Sequence, residues 1–362
     1  MTNPMLHTRL NRALPAQLIN HFAVDLSGLT VYTEAASGAY LLTPIIAALA
    51  GARKVFAQTR DSRFATAEVV CRETMRAAAA FGVADNVEVR IGRFDEGLAQ
   101  SDIVTNSGFV RPLDSDLLVR LKPTAVIPLM WETWEFRPAD LDLDACKARG
   151  TLVLGTKEQE PPCDLRFFTG LFALKLLFEL EFDGGKVLLL GNSPLPAGAI
   201  AGQMRRTGID LTWVSAEPEG DLRYEQLREH FSSHGQEYDI MVVAEHRHHH
   251  RLLGEDGFLD YQEILNINPD LKLGIISGDI DVPQLKASGL RYFPQDISPV
   301  GFLSYQPYHM GPRPVLMLYT AGLKVGEAMA RARLRGLNPK DAAREALASS
   351  PAMDFVGDMA WL

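Results

Sequence analysis

Two series of short apolar runs, each run followed by a longer stretch with helical periodicity, constrain the fold of this chain more than any other feature. The first series spans residues 29–156, the second spans 186–277, and KEQEPP at 157–162 separates them. Parallel strands need helical crossovers, and strands covered on both faces are apolar throughout. The alternation therefore predicts the α/β class, with two domains that each contain a parallel sheet.

The composition excludes several classes of protein. Apolar residues make up 47% and charged residues 22% of the 362 residues, as in ordinary globular domains. The net charge of −9, without a Lys/Arg cluster, argues against nucleic-acid binding. The chain shows no run of membrane-helix length, no apolar signal-peptide core and no disulfide or zinc pattern in its three cysteines. We therefore expect a cytoplasmic protein that binds neither nucleic acid nor membranes.

A strand–turn–helix–strand pattern at the start of the second series indicates a ligand site. Glycines in such a turn let the backbone approach a diphosphate, and an acidic residue after the second strand accepts from ribose hydroxyls. The turn runs from Gly191 to Gly198, and Glu217 lies 19 residues further on. Asn192 and Ser193 complete the predicted cofactor contacts, and Ser193 stands where a second glycine is usual.

Three interpretations of this turn stay open. NAD or NADP is the first ligand it predicts, and S-adenosylmethionine, which also carries an adenosine ribose, is the second. A Rossmann-like unit without a nucleotide is the third, since the turn is longer by two residues than the usual one. Glu217 does not separate the two ligands, because both offer ribose hydroxyls.

The order of these pieces resembles the D-2-hydroxyacid dehydrogenases and the related S-adenosylhomocysteine hydrolases. Both families have a substrate domain, a linking helix, an inserted dinucleotide domain and a returning C-terminal helix. Residues 140–156 are similar to the dehydrogenase segment in which a helix ending in ARG precedes a strand. PYHMG at 307–311 resembles the dehydrogenase PHIG motif, and residues 314–336 are similar to the closing helix. The resemblance implies two Rossmann-like domains and a catalytic role for His309.

The chain departs from both families in the motifs that carry their chemistry. The dehydrogenases have a catalytic arginine after the strand that corresponds to LGIIS, where this chain has Gly278-Asp279-Ile280-Asp281. That segment looks more like the GHFD of the hydrolases, and we include Asp279 among the cofactor contacts. The KSKFD motif of the hydrolases has no clear counterpart in residues 155–168. The resemblance therefore does not imply that this chain catalyses the reaction of either family in unchanged form.

Two residues are candidates for acid–base catalysis. Oxidation of a 2-hydroxy acid needs a base for the hydroxyl proton and a cation for the carboxylate. His309 is the candidate base, and Arg313 is the candidate cation. The alternatives are that His309 is a packed residue at the start of a helix and that Arg313 is an ordinary surface residue. Glu132 is the second catalytic candidate, because Trp131 and Trp134 beside it lower the local dielectric and raise a carboxyl pKa.

Loops at the carboxyl ends of predicted strands supply the candidate substrate contacts, because parallel α/β sheets bind ligands there. Tyr40 follows the first strand, Asn106 ends the fourth, and Trp131 and Trp134 follow the fifth. Plain turns and domain packing are the alternative roles for these four residues.

The run from Glu245 to Arg251 contains four histidines and two arginines. His246 and His250 are four residues apart and have the spacing of metal ligands on a helix. The arginines oppose a divalent cation, so we expect no metal there. An anion-facing lip and a solvated loop are the remaining interpretations.

Together these features predict an NAD(P)-dependent oxidoreductase acting on a small carboxylate-bearing substrate of the 2-hydroxy or 2-oxo acid type. A methyltransferase dependent on S-adenosylmethionine, an adenosyl-thioether enzyme and a non-catalytic nucleotide-binding protein are the alternatives. We expect a substrate-type α/β domain at 1–160, a nucleotide-binding Rossmann domain at 161–305 and a C-terminal helical segment at 306–362 that packs across the domains. Small residues on the last long helix also predict a homodimer.

Overall fold

The computed structural model describes residues 9–362, apart from residue 249. The chain divides into two compact units, the first formed by Met1–Asp164 and Gly311–Leu362, the second by Leu165–Met310. The units therefore divide after Asp164 and Met310, a few residues beyond the expected boundaries at 160 and 305. The second unit is inserted into the first, and the C-terminal residues belong to the first.

The secondary structure follows the predicted alternation. The elements of unit 1 before the insertion are α1 (Arg9–Phe22), β1 (Thr30–Glu34), α2 (Thr43–Leu49), β2 (Lys54–Thr59), α3 (Ala67–Ala80), β3 (Val87–Ile91), α4 (Asp95–Gln100), β4 (Ile103–Val104), α5 (Ser115–Leu118), β5 (Val126–Pro128), α6 (Leu143–Arg149) and β6 (Leu152–Thr156). Unit 2 contains α7 (Arg166–Glu179), β7 (Lys186–Leu190), α8 (Ala197–Arg206), β8 (Asp210–Val214), α9 (Tyr224–His234), β9 (Tyr238–Ala244), β10 (Arg251–Leu253), α10 (Tyr261–Ile267), β11 (Lys272–Ser277), β12 (Asp279–Ile280), α11 (Val282–Ser288) and β13 (Arg291–Phe293). Unit 1 then ends with α12 (Arg313–Leu334), α13 (Pro339–Ser349) and β14 (Ala352–Met353). The sequence pattern does not predict the short strands β10, β12, β13 and β14.

The sheet of unit 1 has the strand order β14-β6-β5-β4-β1-β2-β3. Its pairs are parallel except the edge pair of β14 and β6. Leaving out β14, this is the 3-2-1-4-5-6 order of doubly wound sheets that bind dinucleotides. The order reverses between β1 and β4, which makes the carboxyl ends of these two strands the switch point.

The main sheet of unit 2 has the order β13-β11-β9-β7-β8, and its pairs are parallel. When these five strands are numbered 1 to 5 along the chain and counted from the β8 edge, the order is 2-1-3-4-5, the other common doubly wound order. Its switch point lies between β7 and β9. A separate parallel pair is formed by β10 and β12. The two parallel sheets and the insertion confirm the expected fold class, with two Rossmann-like domains and a C-terminal helix that returns to the first.

The small residues of α12 have a partner within unit 1. A Cβ atom at Gly322 would lie 2.7 Å from Met130 Sδ, and one at Gly326 would lie 2.9 Å from Ile103 Cγ2. Glycine at these two positions therefore lets α12 lie against the sheet of its own unit. The expected homodimer stays a prediction, but these small residues are explained without it. No helix in the described part of the chain combines the length and apolar character needed to cross a membrane.

Candidate functional site

The turn after β7 lies at the switch point of unit 2. The Gly191 amide donates to the Val214 carbonyl at 3.1 Å, and the Gly191 carbonyl accepts from Trp213 Nε1 at 2.7 Å. A Cβ atom at Gly191 would lie 2.2 Å from the carbonyl oxygen of Ala244. Glycine is required here because the end of β9 approaches the turn so closely.

Asn192 joins the loops that follow three neighbouring strands. Its buried Oδ1 accepts from Ser215 Oγ at 2.9 Å and from the Ala216 amide at 2.7 Å. Its Nδ2 lies 2.8 Å from His248 Nδ1. One side-chain amide thus holds the turn after β7 to the ends of β8 and β9. The sequence predicts Asn192 as a cofactor contact, and the structure adds this positioning role.

The other predicted cofactor contacts of the turn lie around it. The Ser193 carbonyl accepts from Arg247 Nη1 at 3.4 Å. A Cβ atom at Gly198 would lie 3.2 Å from Ser193 Oγ, so the first turn of α8 packs closely on the loop. The Glu217 amide donates to Ser215 Oγ at 3.0 Å, which places Glu217 directly beyond the end of β8.

The histidine-rich run is organised by the buried carboxylate of Glu245. Its Oε1 accepts from the amides of Arg247 and His248 at 2.8 and 3.0 Å. The exposed Arg247 side chain stays beside the turn, in agreement with an anion-facing lip. His249 lies outside the described residues. Within the described ranges, no group of three or more His, Cys, Asp or Glu residues is arranged to hold a metal ion.

Asp279, the last predicted cofactor contact, is engaged within the small β10–β12 sheet. Its Oδ1 accepts from Arg251 Nε at 2.8 Å, so an arginine neutralises its charge. The neighbouring Ser277, at the carboxyl end of β11, has a buried hydroxyl without a hydrogen-bond partner among the described residues. Ser277 is not among the residues predicted from the sequence. It ends the predicted strand LGIIS, just as Asn106 ends the fourth predicted strand, so the same argument could have found it.

His309 has a defined ring orientation. The ring stacks on Tyr305, with centroids 4.2 Å apart and planes inclined by 15°. Its Nδ1 lies 2.8 Å from the carbonyl oxygen and 3.1 Å from the amide nitrogen of Gln306. Tyr305 is fully buried and packs on Phe172 and Phe293. The imidazole is therefore attached to the core of unit 2 through Tyr305.

Glu132 is the centre of a buried polar group at the end of β5. Its Oε2 accepts from Trp134 Nε1 at 2.7 Å and from Gln159 Nε2 at 2.6 Å. Its Oε1 accepts from the Glu158 amide at 3.2 Å. Only 4% of Glu132 is exposed. Glu132 and Trp134 thus contact each other, with Trp134 acting as a hydrogen-bond donor.

The carboxyl group with a raised pKa in this cluster is that of Glu158. Burial is the main cause, and the neighbouring carboxylates of Glu135 and Glu132 raise this pKa further above its ordinary value. Sequence analysis missed Glu158, because KEQEPP has the composition of an exposed break between domains. No local signal identifies a glutamate in such a segment as buried.

Trp131 faces cations. The Arg111 guanidinium lies 4.6 Å and the Arg137 guanidinium 5.9 Å from the centre of its ring. Both arginines also bind the carboxylate of Asp140, at 2.7 and 2.9 Å. The tryptophan therefore belongs to a cation–π group at the end of β5.

Three predicted substrate contacts remain. Tyr40 is exposed, and its carbonyl accepts from Thr43 Oγ1 at 2.8 Å. Asn106 is buried, with an Oδ1 that has no hydrogen-bond partner within the described residues. Arg313 is exposed and donates to Gln17 Oε1 at 3.0 Å. Unit 1 carries these three residues, while unit 2 carries His309 and the predicted cofactor contacts.

These two doubly wound sheets, with the second unit inserted into the first, define a two-domain Rossmann protein. No protein-family model matches the chain, and no curated protein matches it significantly. Among solved structures, it is similar to a dipicolinate synthase component from Bacillus halodurans, with a TM-score of 0.51 and 10% identity over 85% of this chain and 99% of that one. This match shows that the chain shares its two-domain fold with that protein.

Two further structures are similar at lower scores. D-2-hydroxyisocaproate dehydrogenase gives a TM-score of 0.45 and 10% identity, covering 86% of this chain and 98% of that one. A 2-hydroxyacid dehydrogenase from Ketogulonicigenium vulgare gives 0.43 and 14% identity, covering 86% and 98%.

Proposed function

We propose that this protein is an NAD(P)-dependent oxidoreductase acting on a small carboxylate-bearing substrate of the 2-hydroxy or 2-oxo acid class. The observation that carries the proposal is the group of residues at the switch point of unit 2. There a cation, Arg247, lies beside the turn after β7, and a ribose acceptor, Glu217, follows β8. Doubly wound sheets bind ligands in the crevice at this point.

The donor set at this turn fits a dinucleotide. Pro194 and Pro196 have no N–H group, so the turn offers fewer amide donors to a diphosphate than a glycine-rich turn. Arg247 supplies the missing positive charge, and a guanidinium binds phosphate oxygens in pairs. Glu217 accepts from the ribose hydroxyls, and the buried hydroxyl of Ser277 supplies a further polar contact. A bound nicotinamide supplies the two-electron redox chemistry.

His309 is the proposed acid–base residue of unit 2. Stacking on Tyr305 and the contact of Nδ1 with Gln306 fix the ring, and we assign proton transfer to the substrate oxygen to its Nε2 atom. Asp279 is a positioning residue in this proposal, because its ion pair with Arg251 holds the loop after β11.

The residues proposed as substrate contacts lie in unit 1. Glu132, held by three donors, is the second acid–base candidate, and burial and two neighbouring carboxylates raise the pKa of Glu158 beside it. The expected substrate contacts remain Tyr40, Asn106, Trp131, Trp134 and Arg313.

Calorimetric titration with NADH, NADPH and S-adenosylmethionine tests the cofactor. We expect a nicotinamide nucleotide to bind, and Arg247→Ala and Glu217→Ala each to weaken binding by about tenfold, the cost of one charged hydrogen bond. Arg228→Ala is the matched control, since Arg228 is exposed on α9 and paired with Glu263. Binding of S-adenosylmethionine alone would replace the proposal with a transferase. Binding of none would favour a protein without a nucleotide.

A spectrophotometric screen of small 2-oxo acids with NADH and NADPH tests the reaction. His309→Asn should lower kcat by about 10²–10⁴-fold, the usual contribution of a positioned acid–base group, with an unchanged affinity for the nucleotide. His234→Asn, on the exposed surface of α9, is the control. Equal turnover by His309→Asn and the parent protein would remove His309 from the mechanism.

The homodimer is tested separately by light scattering after size-exclusion chromatography. Phe167 and Phe178 on α7 are exposed by 54% and 71%, and they supply apolar surface for such a contact. A monomer at micromolar concentration would contradict the prediction.

A further inference from the structure

The carboxyl edge of unit 1 carries a row of polar side chains at its own switch point. The register pairs Glu34 of β1 with Gln58 of β2, and Tyr32 of β1 with Val104 of β4. Asn106 lies two residues beyond Val104, in the loop that follows β4. Side chains alternate along a strand, so Glu34 and the neighbouring Gln58 share one face of the sheet and form this row.

Arg60 follows this row at the end of β2. Its guanidinium lies 5.2 Å from the centre of the Phe109 ring, and its Nη2 donates to the Gly108 carbonyl at 3.3 Å. The side chain is exposed but oriented by these two contacts. In sheets of the 3-2-1-4-5-6 order, the residue after the second strand meets the adenosine ribose, and an arginine there accommodates a 2′-phosphate.

The segment that orients Arg60 is anchored on the row. The Phe109 amide donates to Glu34 Oε2 at 2.8 Å, and the Phe109 carbonyl accepts from Gln58 Nε2. These bonds fix the loop after β4 over the ends of β1 and β2. The guanidinium plane of Arg60 therefore has a rigid support.

Asn106 provides an independent sign of a ligand. It is 1% exposed, and its Oδ1 has no hydrogen-bond partner among the residues that the structure describes. A buried polar atom without a partner costs about 1–3 kcal/mol, and an ordered water or a ligand supplies the missing hydrogen bond. An amide oxygen accepts a hydrogen bond, which selects a ligand with a hydroxyl or N–H donor.

The surroundings accept an anion. A Cβ atom at Gly38, in the loop after β1, would meet no atom within 4 Å, so the backbone borders open space. Asp61 beside Arg60 is occupied as the acceptor of the Ala67 amide at 2.8 Å. Burial raises the pKa of Glu34, while the Phe109 amide and the charges of Arg111 and Arg60 lower it.

We infer that unit 1 has a nucleotide site of its own, which binds a ribonucleotide carrying an additional phosphate on the 2′-hydroxyl of its ribose. Arg60 binds that phosphate, and Asn106 Oδ1 accepts from a ribose hydroxyl. The site uses the switch point of the unit 1 sheet and is independent of the Gly191 turn. It assigns Asn106 to the nucleotide and no longer to the substrate.

Calorimetric titration of the full chain with adenosine 2′,5′-bisphosphate and with NAD⁺ tests the inference. The bisphosphate should bind, and Arg60→Ala should weaken its binding at least tenfold. Arg60→Lys, which keeps the charge but loses paired hydrogen bonds, should give an intermediate affinity. Arg63→Ala, an exposed arginine on the ring of Phe64, is the matched control and should stay within twofold. The affinity for NAD⁺, which lacks a 2′-phosphate, should change less than threefold in Arg60→Ala.

The failures of the two proposals are distinguishable. Bisphosphate binding that is absent, or equal in Arg60→Ala and the parent protein, overturns this inference whether or not NADH-linked turnover occurs. Bisphosphate binding that is lost in Glu217→Ala but kept in Arg60→Ala also overturns it, since the site would then lie in unit 2. Bisphosphate binding that depends on Arg60, in a protein without NAD(P)-linked turnover, would support this site and contradict only the proposed oxidoreductase activity.

Discussion

The switch points of the two units differ in how their asparagine amides are hydrogen-bonded and in how closely their glycines are packed. In unit 2, Asn192 satisfies both ends of its amide by joining three loops, and Gly191 is in close contact with the backbone of Ala244. In unit 1, the corresponding amide, Asn106, has an Oδ1 without a partner among the described residues, and Gly38 borders open space. The amide of Asn192 is thus completed by side chains and backbone of its own unit, whereas the Oδ1 of Asn106 is not.

The two switch points also differ in the position of their arginine. Unit 2 places Arg247 on the loop after its third strand in chain order, beside a turn that contains prolines. Unit 1 places Arg60 directly after its second strand, where a ribose phosphate is met in a sheet of this order. Similar strand–helix patterns therefore provide different cation positions, and the strand order determines which part of a ligand each cation reaches.

The largest expected effect tests the difference between the two glycines. Gly191→Ala should lower the free energy of unfolding by about 3 kcal/mol, because its Cβ atom would overlap a backbone carbonyl that cannot move away. Gly38→Ala should cost only about 1 kcal/mol, for its positive φ of 68° alone. Urea denaturation of both variants measures the difference, and equal losses would contradict the comparison.

The two asparagines provide a smaller contrast. Asn192→Ala should cost about 2 kcal/mol, because the Ser215 hydroxyl and the Ala216 amide lose their buried acceptor. Asn106→Ala should cost less than about 1 kcal/mol, since its Oδ1 has no hydrogen bond to lose within the described structure. Urea denaturation without added nucleotide is the measurement. A larger loss in Asn106→Ala would show that this amide stabilises the unit itself.

The smallest effect concerns Glu158, whose pKa is raised on folding from an ordinary value of 4.5. From about that pH upward the folded protein binds more protons than the unfolded chain, so its stability falls as the pH rises through the raised pKa. Glu158→Gln removes this loss and should be more stable than the parent protein by about 1 kcal/mol at pH 8. The advantage should disappear near pH 4.5. Denaturation across this pH range tests it, with exposed Glu160→Gln as the control.

Much of the fold was predictable because apolar periodicity is a local property. The strands at 87–91 and 238–244 have the predicted bounds, and the other long runs differ by one or two residues. The predicted strands at 102–106 and 125–130 are shorter, at Ile103–Val104 and Val126–Pro128. Their last residues leave the sheet to form the loops that carry Asn106 and Trp131.

The candidate site was predictable only where a residue follows a strand directly. Glu132, Asn192 and Asn106 are examples, since the end of a parallel strand predicts the sheet edge. Glu158 and Arg247 were not predictable in their roles. Glu158 is buried by contacts with a segment 23 or more residues earlier in the chain, and Arg247 is oriented by Glu245 and Ser193.

The spacing of apolar residues, with one break in that spacing, was enough to predict the α/β class, the two domains and the positions of most strands and helices. The insertion of one unit into the other was predicted from the resemblance to known two-domain families. The strand orders, 3-2-1-4-5-6 in unit 1 and 2-1-3-4-5 in unit 2, could be read only from the tertiary structure. Strand order depends on the side to which each crossover helix packs, and distant residues settle that choice. The partners of Gly191, Asn192, Arg60 and Asn106 depend on it in turn.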